Sequence, residues 1–342
     1  MSEVSGTART TFSSTVTKWD TAFSKVRPRI GSVALVPAIG LAVLIGTILN
    51  PVFLSSQNLI NVLQQSSELA VLVIGETLVL IVGMFDLSLE SIVGLGPMVA
   101  AWVVLPAIDN GGGIGLSPYL GILIIFAVGA CVGLVNGLLV VKLKLEPFIV
   151  TLAMLILLRG IVVGLSNGST LYSLPNAMIY IGSDNWLGVP VSIWLAAVLY
   201  LVVGLFLRYH SFGRSMYAIG GNRESARAAG IRVDRVTIIV YVAAGFFASV
   251  AGLMLAGRLA SVASAQGQNL IFFVFAAAVI GGISLQGGRG SLFGALTGVL
   301  LLGIIQNILT LSQVPSFWID AVFGGVILVA LILSRLASLR SA

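Results

Sequence analysis

The chain has 342 residues, 58% of them hydrophobic and 9% charged, with a mean hydropathy of +1.10. Soluble domains carry about 25% charged residues, so a water-soluble enzyme, a disulfide-stapled secreted domain and a disordered tail protein are all excluded. A net charge of +6 and a pI near 9.8 suit either nucleic acid or basic membrane loops, and the placement of the charges decides between them.

A membrane-spanning helix needs ~20 apolar residues, and the chain holds enough for roughly ten. The expected fold is therefore all-α, a polytopic membrane helix bundle of about ten spans with both termini cytoplasmic. The chain opens with a polar, basic stretch over 1–30 containing Arg9, Lys18, Lys25, Arg27 and Arg29. It reads as an uncleaved cytoplasmic tail, being too long for a signal peptide and without a small-residue cleavage site. Spans are then expected at about 31–49, 59–83, 88–106, 119–141, 147–166, 191–207, 236–257, 270–284, 291–311 and 317–334. The membrane domain covers 31–335, with a long cytoplasmic loop at 208–235, and 336–342 forms a cytoplasmic C-terminal tail.

Every Lys and Arg except Arg159 and Arg258 falls on the tail or loops predicted to be cytoplasmic. Such asymmetry fixes orientation by the positive-inside rule, and it accounts for the basic pI without nucleic acid. One cysteine, Cys131, and one histidine, His210, leave no parts for a disulfide, a thiolate metal cluster or a Ser/His/Asp triad. Forty glycines exceed the usual ~7%. Gly-x-x-x-Gly spacings at Gly129–Gly133–Gly137, Gly160–Gly164 and Gly290–Gly294–Gly298 read as helix-packing faces. Gly281-Gly282 and Gly287-Gly288-Arg289-Gly290 are too dense for one helix and read as a helix end followed by a tight cytoplasmic turn.

The loop 208–235 is the most informative segment. Asn222 is a good N-cap, Glu224 suits the positive end of a helix, and Gly230 fits the C′ stop. Between them lies a two-turn helix too short to stand alone, with a small face of Ala226, Ala229 and Gly230. It is expected to dock on the spans or on another protein. Ionisable groups inside spans are functional hypotheses by default. Here they are Glu68, Glu76, Asp86, Glu90, Arg159 and Asp320. Asp86 and Glu90 flank a break at 83–91, where Asp86 is expected to cap the following helix. Glu76 and Arg159 are a candidate pair. A proton relay would use such acids, and ends of spans or satisfied pairs account for them equally well. No lysine follows a glycine, and the Gly287–Gly290 turn has no preceding strand, so the chain carries no nucleotide-binding loop.

Four blocks now resemble one family, the permease subunits of ribose/xylose-type ABC sugar importers within the branched-chain-permease-like group. Gly83-Met84-Phe85-Asp86-Leu87-Ser88 is similar to the family's Gly-Gly-Ile-Asp-Leu-Ser. Asn136-Gly137 through Lys142-Leu143-Lys144, with Pro147–Leu152 and Arg159-Gly160, resembles its central signature. Tyr217–Asn222 with Ala226–Ile231 resembles its ATPase-coupling loop, and Gly281–Leu285 with Gly287–Ser291 its last cytoplasmic turn. The blocks occur in the family's order over nearly all of the chain after residue 30. Glu90, where small residues are usual, and Met84-Phe85, in place of Gly-Ile, depart from the pattern.

The resemblance implies a transport subunit rather than an enzyme, placed in the bacterial inner membrane and contacting lipid but no nucleic acid. It implies a second permease subunit, identical or homologous, with the solute path between the two, and an extracytoplasmic binding protein that delivers the solute. It also implies a cytoplasmic ATPase that carries the ATP and magnesium, this chain holding no cofactor or metal. ATPase coupling is expected at Asn222, Arg223, Glu224, Ala226, Arg227, Ala229, Gly230 and Ile231, beside the turn Gly287, Gly288, Arg289, Gly290. Asp86, Glu90, Asn136, Phe148, Asn167 and Phe275 are candidates for the translocation path. The expected cargo is a small polar solute, a monosaccharide first. Alternatives are a nucleoside, a sugar-derived signal or an amino acid in the same machine, or a proton-coupled secondary transporter using Glu76, Asp86 or Asp320.

Overall fold

The computed structural model describes residues 35–315, 317–319, 321–326 and 328. The tails at 1–30 and 336–342, Asp320 and much of the last expected span lie outside the described residues. Twelve α-helices follow in order: α1 (Val36–Leu49), α2 (Ser56–Ile81), α3 (Leu89–Val104), α4 (Pro118–Val141), α5 (Pro147–Ser166), α6 (Asn176–Ser183), α7 (Val191–Tyr209), α8 (Ser211–Gly221), α9 (Arg223–Ala228), α10 (Val233–Leu259), α11 (Leu270–Ile280) and α12 (Leu292–Leu311). Residues 317–319 and 321–326 are also helical.

Helix boundaries follow local chemistry. Ser55 opens α2 by accepting the Asn58 N–H, and Glu146 opens α5 by accepting the Ile149 N–H at 2.8 Å, just before Pro147. Ser291 opens α12 by accepting the Gly294 N–H at 3.0 Å. Each satisfies one of the backbone donors that a helix start leaves unpaired. Asn167 and Ala260 close α5 and α10 in the left-handed conformation. Between α6 and α7 lies a two-stranded hairpin, β1 (Asn185–Trp186) antiparallel to β2 (Val189–Pro190). Its turn residues, Leu187 and Gly188, both have positive φ, the geometry that suits a two-residue hairpin. Neither α6 nor the hairpin is visible in the span pattern, because both are too short to produce it.

The bundle is organised around α10. The glycine face of α4 packs antiparallel on it: a Cβ at Gly129 would strike Gly245, one at Gly133 would strike Tyr241, and one at Gly137 would press on Ile238. The 290–294–298 glycines likewise take α11, through Gly281 and Ala277. Small residues permit this backbone approach where no hydrophobic force acts between helices. Gly160 and Gly164 behave differently: among the described residues nothing lies within 4 Å of a Cβ placed on either one. In α2, 83% of the residues in its most apolar 18-residue stretch are buried, whereas in the more apolar α5 the share is 22% and most side chains turn outward.

Among the described residues six helices are long and apolar enough to cross a membrane, and four shorter apolar helices accompany them. The shortness of α3 and α11 has a physical cause. Residues 82–88 are non-helical before α3. The segment 260–269 folds back into the bundle before α11 and brings Gln266 and Gly267 against Gly94 and the Glu90 carbonyl. Irregular backbone at such depth is tolerated only where protein surrounds it.

Candidate functional site

At one end of the bundle, which carries Lys142, Lys144, Arg289 and the 208–235 arginines, α8 and α9 form a compact platform. Along α8, Gly213, Met216 and Ile219 are buried on one face, the spacing of an amphipathic surface helix. Asn222 then accepts the Ser225 N–H at 2.8 Å and starts α9. Gly230 has φ +82°, and the Gly230 and Ile231 N–H groups reach back to the Arg227 and Ala226 carbonyls. That is a left-handed C-terminal stop. Ala226 is the buried residue of α9, and Arg223 donates to the Thr237 hydroxyl at 3.0 Å. Partial burial pushes the Arg223 guanidinium below its ordinary pKa, opposed by the nearby Asp234 carboxylate. Arg227 pairs with Asp234 at 3.2 Å with both side chains exposed, a contact worth ~0–1 kcal/mol. Glu224, Arg227, Ala229 and Gly230 face outward, and Ile231 is half-buried.

Under this platform three chain segments meet through glycine. A Cβ on Gly220 would collide with the Ile81 carbonyl and the Gly288 nitrogen, and one on Gly287 would lie 2.7 Å from the Gly83 Cα. Gly288 donates to the Ile81 carbonyl at 2.9 Å, and the Tyr217 hydroxyl donates to the Gly290 carbonyl at 3.1 Å. The end of α2, the end of α8 and the 281–291 turn are therefore in backbone contact. Gly287 is buried, while the Arg289 side chain points outward.

One step deeper lies the break between α2 and α3. Asp86 accepts the Ser88 N–H at 3.0 Å and the Ser88 hydroxyl at 2.6 Å. This is a turn that fixes Ser88, the residue before α3, and not the expected helix cap: α3 starts with no side-chain capping bond, and the first-turn N–H groups receive none from Asp86. The Asn136 amide donates to Ser88 Oγ at 2.8 Å and lies 3.4 Å from Asp86, all three side chains being fully buried. The Tyr241 hydroxyl donates to the Phe85 carbonyl at 3.0 Å, and the Phe85 ring sits 6.0 Å from that of Phe275.

Deeper again, Arg159 binds Glu90 at 3.4 Å and the Gln266 carbonyl at 3.1 Å. The other Glu90 oxygen accepts the Ile271 N–H at the start of α11, also at 3.4 Å. The Gln266 amide donates to the Val93 and Gly252 carbonyls. The expected pairing of Glu76 with Arg159 is thereby overturned. The 260–269 segment carries carbonyls to Arg159 beside Glu90, and Glu76 stays buried, its carboxylate oxygens without a hydrogen-bond partner among the described residues.

The six path candidates divide into separate places. Asp86, Asn136 and, through Phe85, Phe275 gather at the break, whereas Glu90 belongs to the Arg159 centre. Phe148 and Asn167 stand at opposite ends of α5, and both are exposed. A further ion pair was missed. Arg258, expected in an outside loop, lies in the last turn of α10 and grips Glu68 through Nε and Nη2, at 2.5 and 3.0 Å. No sequence signal joins two residues 190 positions apart.

Residues 58–331 match the family described as Branched-chain amino acid transport system / permease component. The chain belongs to this family. Among curated relatives, this permease is 37% identical over 303 residues to the ribose import permease protein of Escherichia coli (strain K12), covering 87% of this chain and 92% of that one. It is 36% identical to the ribose import permease protein of Bacillus subtilis (strain 168), with the same coverage. It is 34% identical over 280 residues to the autoinducer 2 import system permease protein of Photorhabdus luminescens, covering 82% of each chain. No solved structure matches.

Proposed function

We propose that this permease is the membrane-spanning subunit of an ATP-driven importer for a monosaccharide or a close neutral derivative. It is a multi-pass protein of the bacterial inner membrane, and its relatives import ribose, arabinose, allose and autoinducer 2. In this reading the six long and four shorter apolar helices make up ten spans, with both termini cytoplasmic and the platform of α8 and α9 on the cytoplasmic side. The domain bounds are those expected from the sequence: a tail over 1–30, a membrane domain over 31–335 and a short tail after it.

One observation carries the mechanism: the glycine junction joins the platform to both breaks, 82–88 and 281–291. A separate ATPase chain, holding ATP and magnesium, docks on Glu224, Arg227, Ala229 and Gly230. Closure of that ATPase pushes α9, and the junction passes the displacement to the Asp86–Ser88–Asn136 break. The bundle then alternates between outward- and inward-open. A solute-binding protein delivers cargo at the opposite end. A second permease subunit packs against α5, whose Gly160–Gly164 groove is unoccupied within the subunit.

The test is co-purification of the tagged permease with the ATPase encoded beside it. Gly230→Glu and Arg227→Glu are expected to abolish ATPase recovery while leaving membrane insertion unchanged. Full recovery in both variants would reject the docking surface. Uptake of D-ribose that persists without the ATPase and collapses with the proton gradient would reject the ATP-driven reading.

A further inference from the structure

One side of α7 is apolar and open. Trp194, Val198, Leu201, Val202, Leu205 and Tyr209 are all exposed among the described residues, and steps of three and four residues set them along a single stripe of the helix. Trp194 stands at one end of the stripe and Tyr209 at the other. Aromatic residues closing both ends of an apolar stripe mark a helix side that faces lipid, because Trp and Tyr settle at the two membrane–water interfaces.

At the Tyr209 end the stripe runs into two guanidinium groups. The central carbon of the Arg208 guanidinium lies 5.3 Å from the centre of the Tyr209 ring. Arg214, on the first turn of α8, donates to the Tyr209 carbonyl at 3.0 Å. The corner between the helices is fixed by His210, which stacks on Phe206 with ring centres 4.7 Å apart and accepts the Phe212 N–H on Nδ1 at 3.1 Å. Both arginines are exposed, and among the described residues neither has a carboxylate partner, whereas Arg159, Arg227 and Arg258 each have one.

Basic residues at the end of a span meet the positive-inside rule wherever they point, and Arg232 and Arg235, exposed at the same end, need no other account. Arg208 and Arg214 differ because a single tyrosine at the foot of the stripe holds them both. A guanidinium fork matches the oxygens of a phosphate. In a phospholipid the phosphate lies at the interface and the acyl chains run away from it into the bilayer. The protein presents the same order, with two guanidiniums, then the Tyr209 ring, then Leu205, Val202 and Val198. A free anion in solution would use the arginines and leave the stripe without a role.

We infer that the corner of α7 and α8 binds an anionic phospholipid, its headgroup phosphate held by Arg208 and Arg214 and its acyl chains laid along the α7 stripe. The inference rests on the chain's place in a membrane and not on ATP-driven transport. Its test reads lipid binding alone, so a failure of uptake would count only against the transport reading.

Purified permease in a neutral detergent is titrated with dioleoyl phosphatidylglycerol or dioleoyl phosphatidylcholine while its thermal midpoint is followed. The anionic lipid is expected to raise the midpoint at least threefold more than the zwitterionic one, and about 0.5 M NaCl is expected to at least halve that difference by screening. Arg208→Gln combined with Arg214→Gln is expected to lose two thirds of the difference or more, with the midpoint in phosphatidylcholine unchanged. Arg232→Gln combined with Arg235→Gln removes the same charge from the same end and is expected to keep the difference. Inorganic phosphate is expected to give no rise. Equal responses of the wild type to the two lipids would overturn the inference, as would equal losses in the two double variants. A rise with inorganic phosphate matching that with the anionic lipid would also overturn it, by assigning the arginines to a soluble anion. If the first double variant keeps its lipid response and loses ATPase recovery, the arginines belong to the ATPase contact and the inference falls. Should that variant fold poorly, the wild-type salt dependence decides, and a difference that survives the salt overturns the inference.

Discussion

Arg159 on α5 and Glu90 on α3 form an ion pair, 3.4 Å apart, where the Gln266 carbonyl of the 260–269 segment also accepts from Arg159. Glu90 is 7% exposed and Arg159 19%, so neither charge is well served by water. Removing one partner strands the other, which costs about 3–5 kcal/mol, whereas replacing both with apolar residues of similar volume is often neutral. Arg159→Met and Glu90→Met are each expected to lower the thermal midpoint of the detergent-solubilised protein by several degrees. The double variant is expected to recover most of the loss. A double variant as unstable as the sum of the singles would show that the pair does not act as a unit.

The glycine junction makes a sharper contrast. Gly220→Ala forces a methyl group into the Ile81 carbonyl, whereas the adjoining Gly221 has open space around its Cβ position. Overpacking typically costs about 1–3 kcal/mol, and backbone cannot move aside as a side chain can. Gly220→Ala is therefore expected to abolish solute-stimulated ATP hydrolysis or to destabilise the protein visibly on heating. Gly221→Ala is expected to behave as wild type in both assays.

Asn222→Ala removes the cap from a helix of six residues. Such a loss costs about 0.5–2 kcal/mol, and in α9 it falls on an element with little else to hold it. Weaker ATPase recovery from the tagged permease is the expected outcome, with Asn222→Asp and Asn222→Ser retaining most of it. Equal recovery from the alanine and serine variants would mean that partner contacts alone order α9.

Gly160→Ile and Gly164→Ile place bulk on a face that touches nothing in the subunit. The folded monomer is expected to be unaffected by thermal shift, and the association of two permease subunits, followed by cross-linking in membranes, is expected to fall. Unchanged cross-linking would place the subunit contact elsewhere.

Much of the architecture was legible because its signals are local. The apolar run ends within a few residues of the actual ends of α4, α5 and α12. Asn222 and Gly230 mark α9 because capping chemistry is written in adjacent residues. The density of glycines at 281–290 marks a turn for the same reason, and the structure has positive φ at Gly282, Gly287, Gly288 and Gly290. What failed was long-range. Arg159 was matched with Glu76 because both lie in spans, yet depth depends on where a helix is broken. The break at 82–88 and the inward fold of 260–269 set the depths of Glu90 and Gln266, and neither shift has a periodicity to betray it. Arg258 was counted as a loop residue because it follows a long apolar run, although its α10 turn continues to Leu259. Among the path candidates, choice by polarity or ring character found the Asp86–Asn136 contact. It also included Phe148 and Asn167, whose side chains the fold leaves at the ends of α5.

The contact among Gly83, Gly220, Gly287 and Gly288 has a mechanical meaning. A joint between side chains has slack, since rotamers can turn and take up part of any displacement. Here peptide planes bear directly on one another, and no torsion beyond the main chain is available to absorb a stroke. The joint is correspondingly stiff. Under the ATP-driven reading proposed above, a displacement of α8 would reach both irregular segments together, so they would shift in phase. A bundle joined in this way would have few half-switched states, which would limit the leakage of solute while the proposed ATPase stands idle.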